Sequence, residues 1–322
     1  MNAKKILIIG SMGQIGSDLV KELRKRYGTQ NVIASDYRTP AREALEQWMP
    51  FESLDITKKD TIVGVIKRHG INTIYHMAAI LSAVGEQNPH LAWEVNMEGL
   101  YNVLEVAREY KIERMFFPSS IAAFGPQTPK DNTPQDTILQ PTTMYGVTKV
   151  TGELLCNYYV ERFGMDIRGV RFPGIISSET PPGGGTTDFA VAIFYEAIRH
   201  KSYECFVRED TTLPMMYMPD AIKGIVDLME ADLSRLKHHS NFNLASMSFS
   251  AKELAAEIKK HIPEFVCTYK PDFRQRIADS WPRSIDDTVA RQEWGWKPSY
   301  DIASMTKDML EKLRYRHIHG KL

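Results

Sequence analysis

The sequence predicts an α/β protein: a doubly wound parallel sheet, followed by a smaller C-terminal α/β lobe. Three observations carry this. Short apolar runs alternate with helical stretches through the first half of the 322 residues, the rhythm of βαβ units. The runs are apolar throughout, as in strands covered on both faces. After residue 172 the rhythm loosens, and a Pro/Gly-rich loop, Thr180 to Gly185, intervenes.

The elements follow in order. Lys5 to Ile9 reads as a strand and Gln14 to Tyr27 as a helix. Asn31 to Ser35 is a strand, Thr57 to His69 a helix, and Thr73 to His76 begins another strand. Leu91 to Tyr110 is a long helix before the strand Arg114 to Pro118. Tyr145 to Phe163 is a helix before the strand Asp166 to Arg171. Later helices are expected at about Asp188 to Arg199, Pro219 to Glu230, Ser250 to His261 and Ser304 to Tyr315. The expected division is 1–172, with 220–248 returning to it, as the sheet domain. Residues 173–219 and 249–322 form the lobe over the sheet's carboxyl edge.

Composition narrows the function classes. The formal charge is zero and no Lys/Arg block stands out, so the basic footprint of a nucleic-acid binder is missing. No apolar run approaches the roughly 20 residues of a membrane helix. Met1 to Lys5 leads directly into Ile6–Ile9, which reads as leaving no room for a signal or transit peptide. Cys156, Cys205 and Cys267 are isolated and odd in number; they read as reduced thiols of a cytoplasmic protein. His238-His239 and His317-Ile318-His319 are the close histidine pairs. The second reads as a frayed end, and no Cys/His cluster with metal-ligand spacing is present.

The strand-to-helix turn at Gly10-Ser-Met-Gly13-Gln-Ile-Gly16 reads as a phosphate loop. Gly10 permits the tight turn, Gly13 removes a side chain where backbone meets a pyrophosphate, and Gly16 lets helix pack on strand. The helix start offers free N–H groups to the phosphates. Asp36 ends the second strand at the expected distance. A carboxylate there accepts the ribose hydroxyls and repels a 2′-phosphate, which favours NAD; Arg38, two residues on, complicates this. Asp55-Ile56 follows the next apolar stretch, where Asp55 would meet an adenine amino group and Ile56 the ring. Asp55-Ile56-Thr57 equally reads as a helix start.

Tyr145-Gly-Val-Thr-Lys149 opens a helix and puts both side chains on one face. A tyrosine ordinarily ionises near pH 10. An adjacent ammonium and an oxidised nicotinamide both favour the phenolate, making Tyr145 a candidate base. Ser120 sits at a strand end, able to orient a substrate oxygen.

These residues resemble the extended short-chain dehydrogenase/reductase family, through GSMGQIG at 10–16, Asp36, His76-Met-Ala-Ala79, Asn96, Pro118-Ser-Ser120 with Phe124-Gly125, and YGVTK at 145–149. The resemblance spans essentially the whole chain. It implies a Rossmann-type sheet of about seven strands. NAD would lie across Gly10, Gly13, Gln14, Ile15, Gly16, Asp36, Asp55, Ile56, Ala78, Ala79 and Asn96. Ser120, Tyr145 and Lys149 would be the catalytic triad, with Lys149 also on the nicotinamide ribose. It further implies a homodimer through the helices near 91–110 and 145–163.

Most such proteins act on nucleotide sugars. Sugar dehydratases of the family carry an Asp-Glu pair beside the active-site hydroxyl, whereas Ser120 is followed by Ile121-Ala122-Ala123. Nucleotide-sugar epimerases carry an Arg that grips the diphosphate; the matching position is Leu213, and that of their His is Tyr217. A diphosphate loses its bidentate partner, which favours a smaller substrate, with a nucleotide-sugar epimerase or reductase as the alternative. LPMMYMPDA at 213–221, PPGGGTTDFAV at 181–191 and PDFRQRIADSWP at 271–282 resemble one branch of the family, the short-chain L-threonine 3-dehydrogenases. That implies zinc-free oxidation of the L-threonine β-hydroxyl to 2-amino-3-oxobutyrate, with 2-amino-3-oxobutyrate CoA ligase as metabolic partner. An intact trio argues against a non-enzymatic NAD sensor.

The loop chemistry fits. Gly183-Gly184-Gly185 supplies a hinge, and Thr186, Thr187 and Asp188 begin a helix whose amides and hydroxyls could hold the amino acid's charged groups; the alternative is an ordinary capped loop. Ser82 is a second candidate contact or a plain loop serine. Trp281 either closes the pocket or belongs to the core.

Overall fold

The computed structural model describes residues 4–320 and 322. The leaderless start read from Met1–Lys5 falls largely on residues 1–3, outside those described. In chain order the strands are β1 (Ile6–Ile9), β2 (Val32–Asp36), β3 (Phe51–Ser53), β4 (Thr73–His76), β5 (Arg114–Ser120), β6 (Ile167–Phe172), β7 (Gly174–Ile176), β8 (Ser202–Cys205), β9 (Thr212–Tyr217), β10 (Phe242–Asn243), β11 (Met247–Ser250) and β12 (Val266–Tyr269).

Seven of them form one sheet in the order β10-β6-β5-β4-β1-β2-β3, and every pairing is parallel. The fold is therefore the doubly wound α/β class. The chain winds outward from β1 to β3, then returns to place β4 on the other side of β1. Winding reverses between β1 and β4, and ligands of open α/β sheets bind at that switch, off the carboxyl ends of the strands.

The apolar runs hide a period of two. Ile6 and Ile8 join a cluster with Leu19 and Leu23 of the helix Gln14–Tyr27 and Ile225 and Val226 of the helix Met218–Glu230. Leu7 and Ile9 join the opposite cluster, with Ile62 of Lys59–His69, Leu104 of Gly99–Glu109 and Cys156 of Met144–Phe163. Both faces are covered, so both sets are apolar.

A third cluster fills the lobe. Phe194 of the helix Phe189–His200, Ile258 of Ala251–His261 and Met309 of Ile302–Ile318 pack there against the three-stranded sheet β11-β9-β7. β8 and β12 form a two-stranded parallel sheet beside it. The terminal histidines are not a frayed end as expected. The last helix continues to Ile318, and the C-cap His319 keeps its ring nitrogen 2.6 Å from the Tyr315 carbonyl. The long helix after residue 88 is regular at both ends but contains a π turn, Glu94–Glu98, which carries Asn96. Single π turns recur at functional sites.

Among the described residues no helix is long and apolar enough to cross a membrane. No group of three or more metal-ligating side chains is present among them, and all three cysteines are free.

Candidate active site

Gly10 follows β1 with φ +83°, and a Cβ there would lie 2.6 Å from the Ala78 backbone nitrogen. A Cβ on Gly16 would meet the Gly10 carbonyl at 2.2 Å, so helix and loop close only without side chains at both places. Gly13 differs: its absent Cβ would touch little beyond the Gly10 carbonyl at 3.3 Å. It caps the first helix with no side-chain hydrogen bond to the helix amides. The cradle and its free amides suit a pyrophosphate.

Asp36 is buried at the end of β2. One carboxylate oxygen accepts the Met12 amide at 3.0 Å, which ties it to the glycine loop. The other accepts the amide and guanidinium of Arg38, at 3.0 and 3.2 Å. Arg38 is thus folded onto Asp36. Of the two readings for Asp55, the helix entry is formed: it accepts the Thr57 amide and hydroxyl at 3.1 and 2.7 Å. Burial opposes its charge, but Thr57 and Lys58 outweigh burial and hold the carboxyl below its usual range. The Ile56 side chain packs in the core against Gly99, leaving backbone rather than side chain for a ring. Asn96 does not face the cleft. Its amide spans the Ile80 N–H and C=O, at 2.7 and 3.1 Å, and donates to Thr148 at 3.1 Å. It holds the segment after Ala78-Ala79 against the helix of Tyr145.

A cleft of about 230 Å³ opens at the switch point. Gly10, Gly13, Gln14, Ile15 and Gly16 line one end, with Ala79 and Ser82 beside them; Ser120, Tyr145 and Lys149 line the floor. Thr186, Thr187, Asp188 and Trp281 close it from the lobe. Both readings of Trp281 hold, because it also belongs to the lobe core.

The floor is built by the end of β5 and the helix Met144–Phe163. Thr143 caps that helix, accepting the Gly146 amide at 3.1 Å, and Glu86 accepts the Met144 amide at 2.6 Å. Gly146 lets the helix press on the strand end, since a Cβ would lie 2.2 Å from the Ala122 carbonyl. Ser120 faces Tyr145 closely enough to favour its phenolate. Lys149 donates to the Pro118 carbonyl at 2.6 Å, with its nitrogen 5.3 Å from the Tyr145 ring centre.

Desolvation governs the protonation of three groups here, of which Lys149 and His76 are buried and Tyr145 is partly buried. It pushes the Tyr145 phenol up to about 12, against the opposing effect of Ser120. It brings Lys149 down to about 8, with Cys156 and Glu153 pulling the other way. It brings His76, at the end of β4, down to about 3, with Lys149 adding to the effect. The expected lowering of the tyrosine by its lysine is therefore not achieved by the chain alone.

On the lobe side, one Asp188 oxygen accepts the Gly183 and Gly185 amides, at 2.7 and 2.8 Å. The Thr186 hydroxyl is buried and has no hydrogen-bond partner. Sequence reasoning missed the buried polar groups under the floor, Ser119, Glu153 and Arg171. Two signals are present: Glu153 lies four residues after Lys149, and Arg171, like Arg168, is a charged residue in a strand whose other residues are apolar or glycine.

Residues 6–245 match the NAD dependent epimerase/dehydratase family. An uncharacterized epimerase/dehydratase of Staphylococcus aureus is 52% identical over 314 residues, covering 97% of this chain and 98% of that protein. Among solved structures, an L-threonine dehydrogenase from Clostridium difficile is 54% identical with a TM-score of 0.95, over 99% of this chain and 100% of that one. A monomeric L-threonine 3-dehydrogenase from a metagenome is 50% identical with a TM-score of 0.93, over 96% and 99%. Glycine cradle, trio and these matches agree, and the chain belongs to the NAD dependent epimerase/dehydratase family, with NAD as its cofactor.

Proposed function

We propose that this chain oxidises the β-hydroxyl of L-threonine to a ketone, giving 2-amino-3-oxobutyrate and NADH. The observation that carries this is one small cleft. It joins an alcohol-oxidising trio to the unpartnered Thr186 hydroxyl, with no cation besides Lys149 lining it among the described residues. Leu213, at the position of the diphosphate-gripping Arg, is buried in the lobe core, and the Tyr217 hydroxyl is held by Asp308 at 2.6 Å. Neither is offered to a nucleotide sugar. The likeness to L-threonine dehydrogenases supports the same substrate.

Tyr145 takes the hydroxyl proton while Ser120 holds the same oxygen. Bound NAD supplies the hydride acceptor and a positive charge. Bringing a phenol from about 12 to neutrality requires about 7 kcal/mol. A unit charge about 5 Å away in a partly hydrated site contributes roughly 3 kcal/mol. The value of about 12 already includes Lys149 as it stands, so the positive charge of NAD would act in addition to it, and the base becomes competent only with the cofactor in place. Gln14 and Ile15 would lie along the cofactor with the glycines, Asp36 at its ribose and Ala78-Ala79 beside it. The adenine would meet Asp55 and the Ile56 backbone. Ser82, Thr186 and Thr187 would hold the amino acid's charged groups. No step asks for a metal.

The same reading divides the chain into a cofactor domain, 1–172 with 220–248, and a substrate lobe, 173–219 with 249–322. Exposed Tyr101, Val147, Leu154 and Tyr158 support a homodimer through their two helices, which light scattering would test. A cytoplasmic location, threonine catabolism and 2-amino-3-oxobutyrate CoA ligase as partner complete the proposal.

The test is NADH formation, followed by absorbance, with L-threonine and NAD against L-serine, D-threonine and NADP. Rapid turnover is expected with the first pair alone. Calorimetry with UDP-sugars should give no saturable heat, and tight binding would overturn the substrate.

A further inference from the structure

Three consecutive residues end β5, and each meets the helix beside it. The Pro118 carbonyl accepts from Lys149 at 2.6 Å, the Ser119 hydroxyl donates to Glu153, and Ser120 faces Tyr145 across the cleft floor. Tyr145, Lys149 and Glu153 are spaced by four, on one face of the helix. The trio thus has a third rung, which carries no proton in the reaction.

Glu153 and Arg171 are each 2% exposed. Arg171 reaches the carboxylate through two bonds, 2.9 and 2.7 Å. Its remaining nitrogen, Nη1, donates to the Gln135 carbonyl at 2.9 Å and to Asn243 at 3.1 Å. A buried ion pair is a poor source of stability, because apolar residues of the same volume commonly serve as well. Its position suggests another use. The carboxylate sits one turn from Lys149, and without Arg171 it would have only Ser119 and the lysine to turn to. With both oxygens engaged, the ammonium remains directed to Pro118 and the cleft, where Ser119 also lies.

We infer that Glu153, held by Arg171, is a positioning residue of the active centre, acting through Ser119 on the Ser120–Tyr145 contact and through its charge on Lys149. This rests on the proposed reaction. The titratable groups facing Lys149 are Tyr145, Glu153 and Cys156 on its own helix and His76 at the end of β4. Of these, Glu153 is the one fixed negative charge.

Two variants test it. Ser119→Ala removes one hydroxyl and leaves the ion pair. It should lower kcat about tenfold, with KM for threonine and NAD within twofold of wild type, and Ser119→Thr should restore most of the loss. Glu153→Gln with Arg171→Met keeps the interior neutral, so that folding survives. It should move the alkaline limb of the pH–rate profile to lower pH, because Lys149 loses the charge that holds its proton. NADH titration by fluorescence reads the same shift without turnover, as a loss of affinity beginning at lower pH. A merely structural pair would lower the melting temperature and leave kcat and both pH limbs unchanged, which would overturn the inference. Wild-type protein inert toward threonine would refute the proposed function alone, and the NADH titration would still decide this one.

Discussion

On the sheet side of the cleft, Pro118 and Ser119 are tied to one helix, Ser120 faces Tyr145 of the same helix, and that helix is capped and pressed onto the strand. On the lobe side, Gly183 and Gly185 hang from a single carboxylate, and Thr186 presents a hydroxyl with no partner. The two sides divide the labour. Chemistry needs atoms held to fractions of an ångström, which satisfied polar networks on rigid elements supply. Selection needs groups left unsatisfied until the substrate arrives, on a segment able to close. The floor is finished before binding and the roof is not.

Breaking the floor should cost most. Tyr145→Phe is expected to lower kcat about 10³-fold, the range for loss of a positioned base, while NAD affinity changes by no more than a few-fold. Stopped assays for NADH and a cofactor titration check both. Activity near wild type would remove the distinction between the two sides.

Breaking the roof should act on substrate capture. Asp188→Ala frees two amides from a charged acceptor, each bond being worth roughly 1.5–3 kcal/mol. We expect kcat/KM for threonine to fall at least tenfold, mostly through KM, with NAD binding retained. A loss confined to kcat would place Asp188 with the floor.

The sharpest contrast is Thr186→Val. The hydroxyl is unpaired in the protein alone, so its removal should leave the melting temperature equal or higher. It should still lower kcat/KM about tenfold, the worth of one hydrogen bond to a charged group. A fall in both quantities would mean that the hydroxyl serves the fold.

The smallest effect concerns pH and stability. His76 is buried neutral, with its folded pKa at about 3 against 6.5. Between those values the unfolded chain binds a proton that the folded chain does not. The stability contributed is complete above pH 6.5 and declines as pH falls toward 3. Urea midpoints should show that slope, and His76→Leu should flatten it.

The floor was the more legible side, for physical reasons. The strand Ile6–Ile9, the glycines at 10, 13 and 16, and Tyr145 with Lys149 are local patterns, set by spacing along one element. Arg171 was not read as a partner of Glu153, because only the sheet brings β6 beside that helix. The family resemblance puts Asn96 beside the cofactor, yet the π turn aims its amide at Ile80 and Thr148. In the lobe, Thr186 and Asp188 were visible as a helix start, but the return of Asp188 to the glycine amides was not. β3 and β10 contain three and two residues, too few for any periodicity to register. β9 carries Pro214, which argues against a strand when read without its neighbours.

The most direct test of the account uses L-threonine deuterated at its β-carbon. With NAD and this protein, the reduced cofactor should carry the deuterium, and turnover should slow relative to unlabelled threonine wherever chemistry limits the rate. Reduced cofactor without deuterium, or none formed, would contradict the assignment of this cleft to oxidation of the threonine β-hydroxyl.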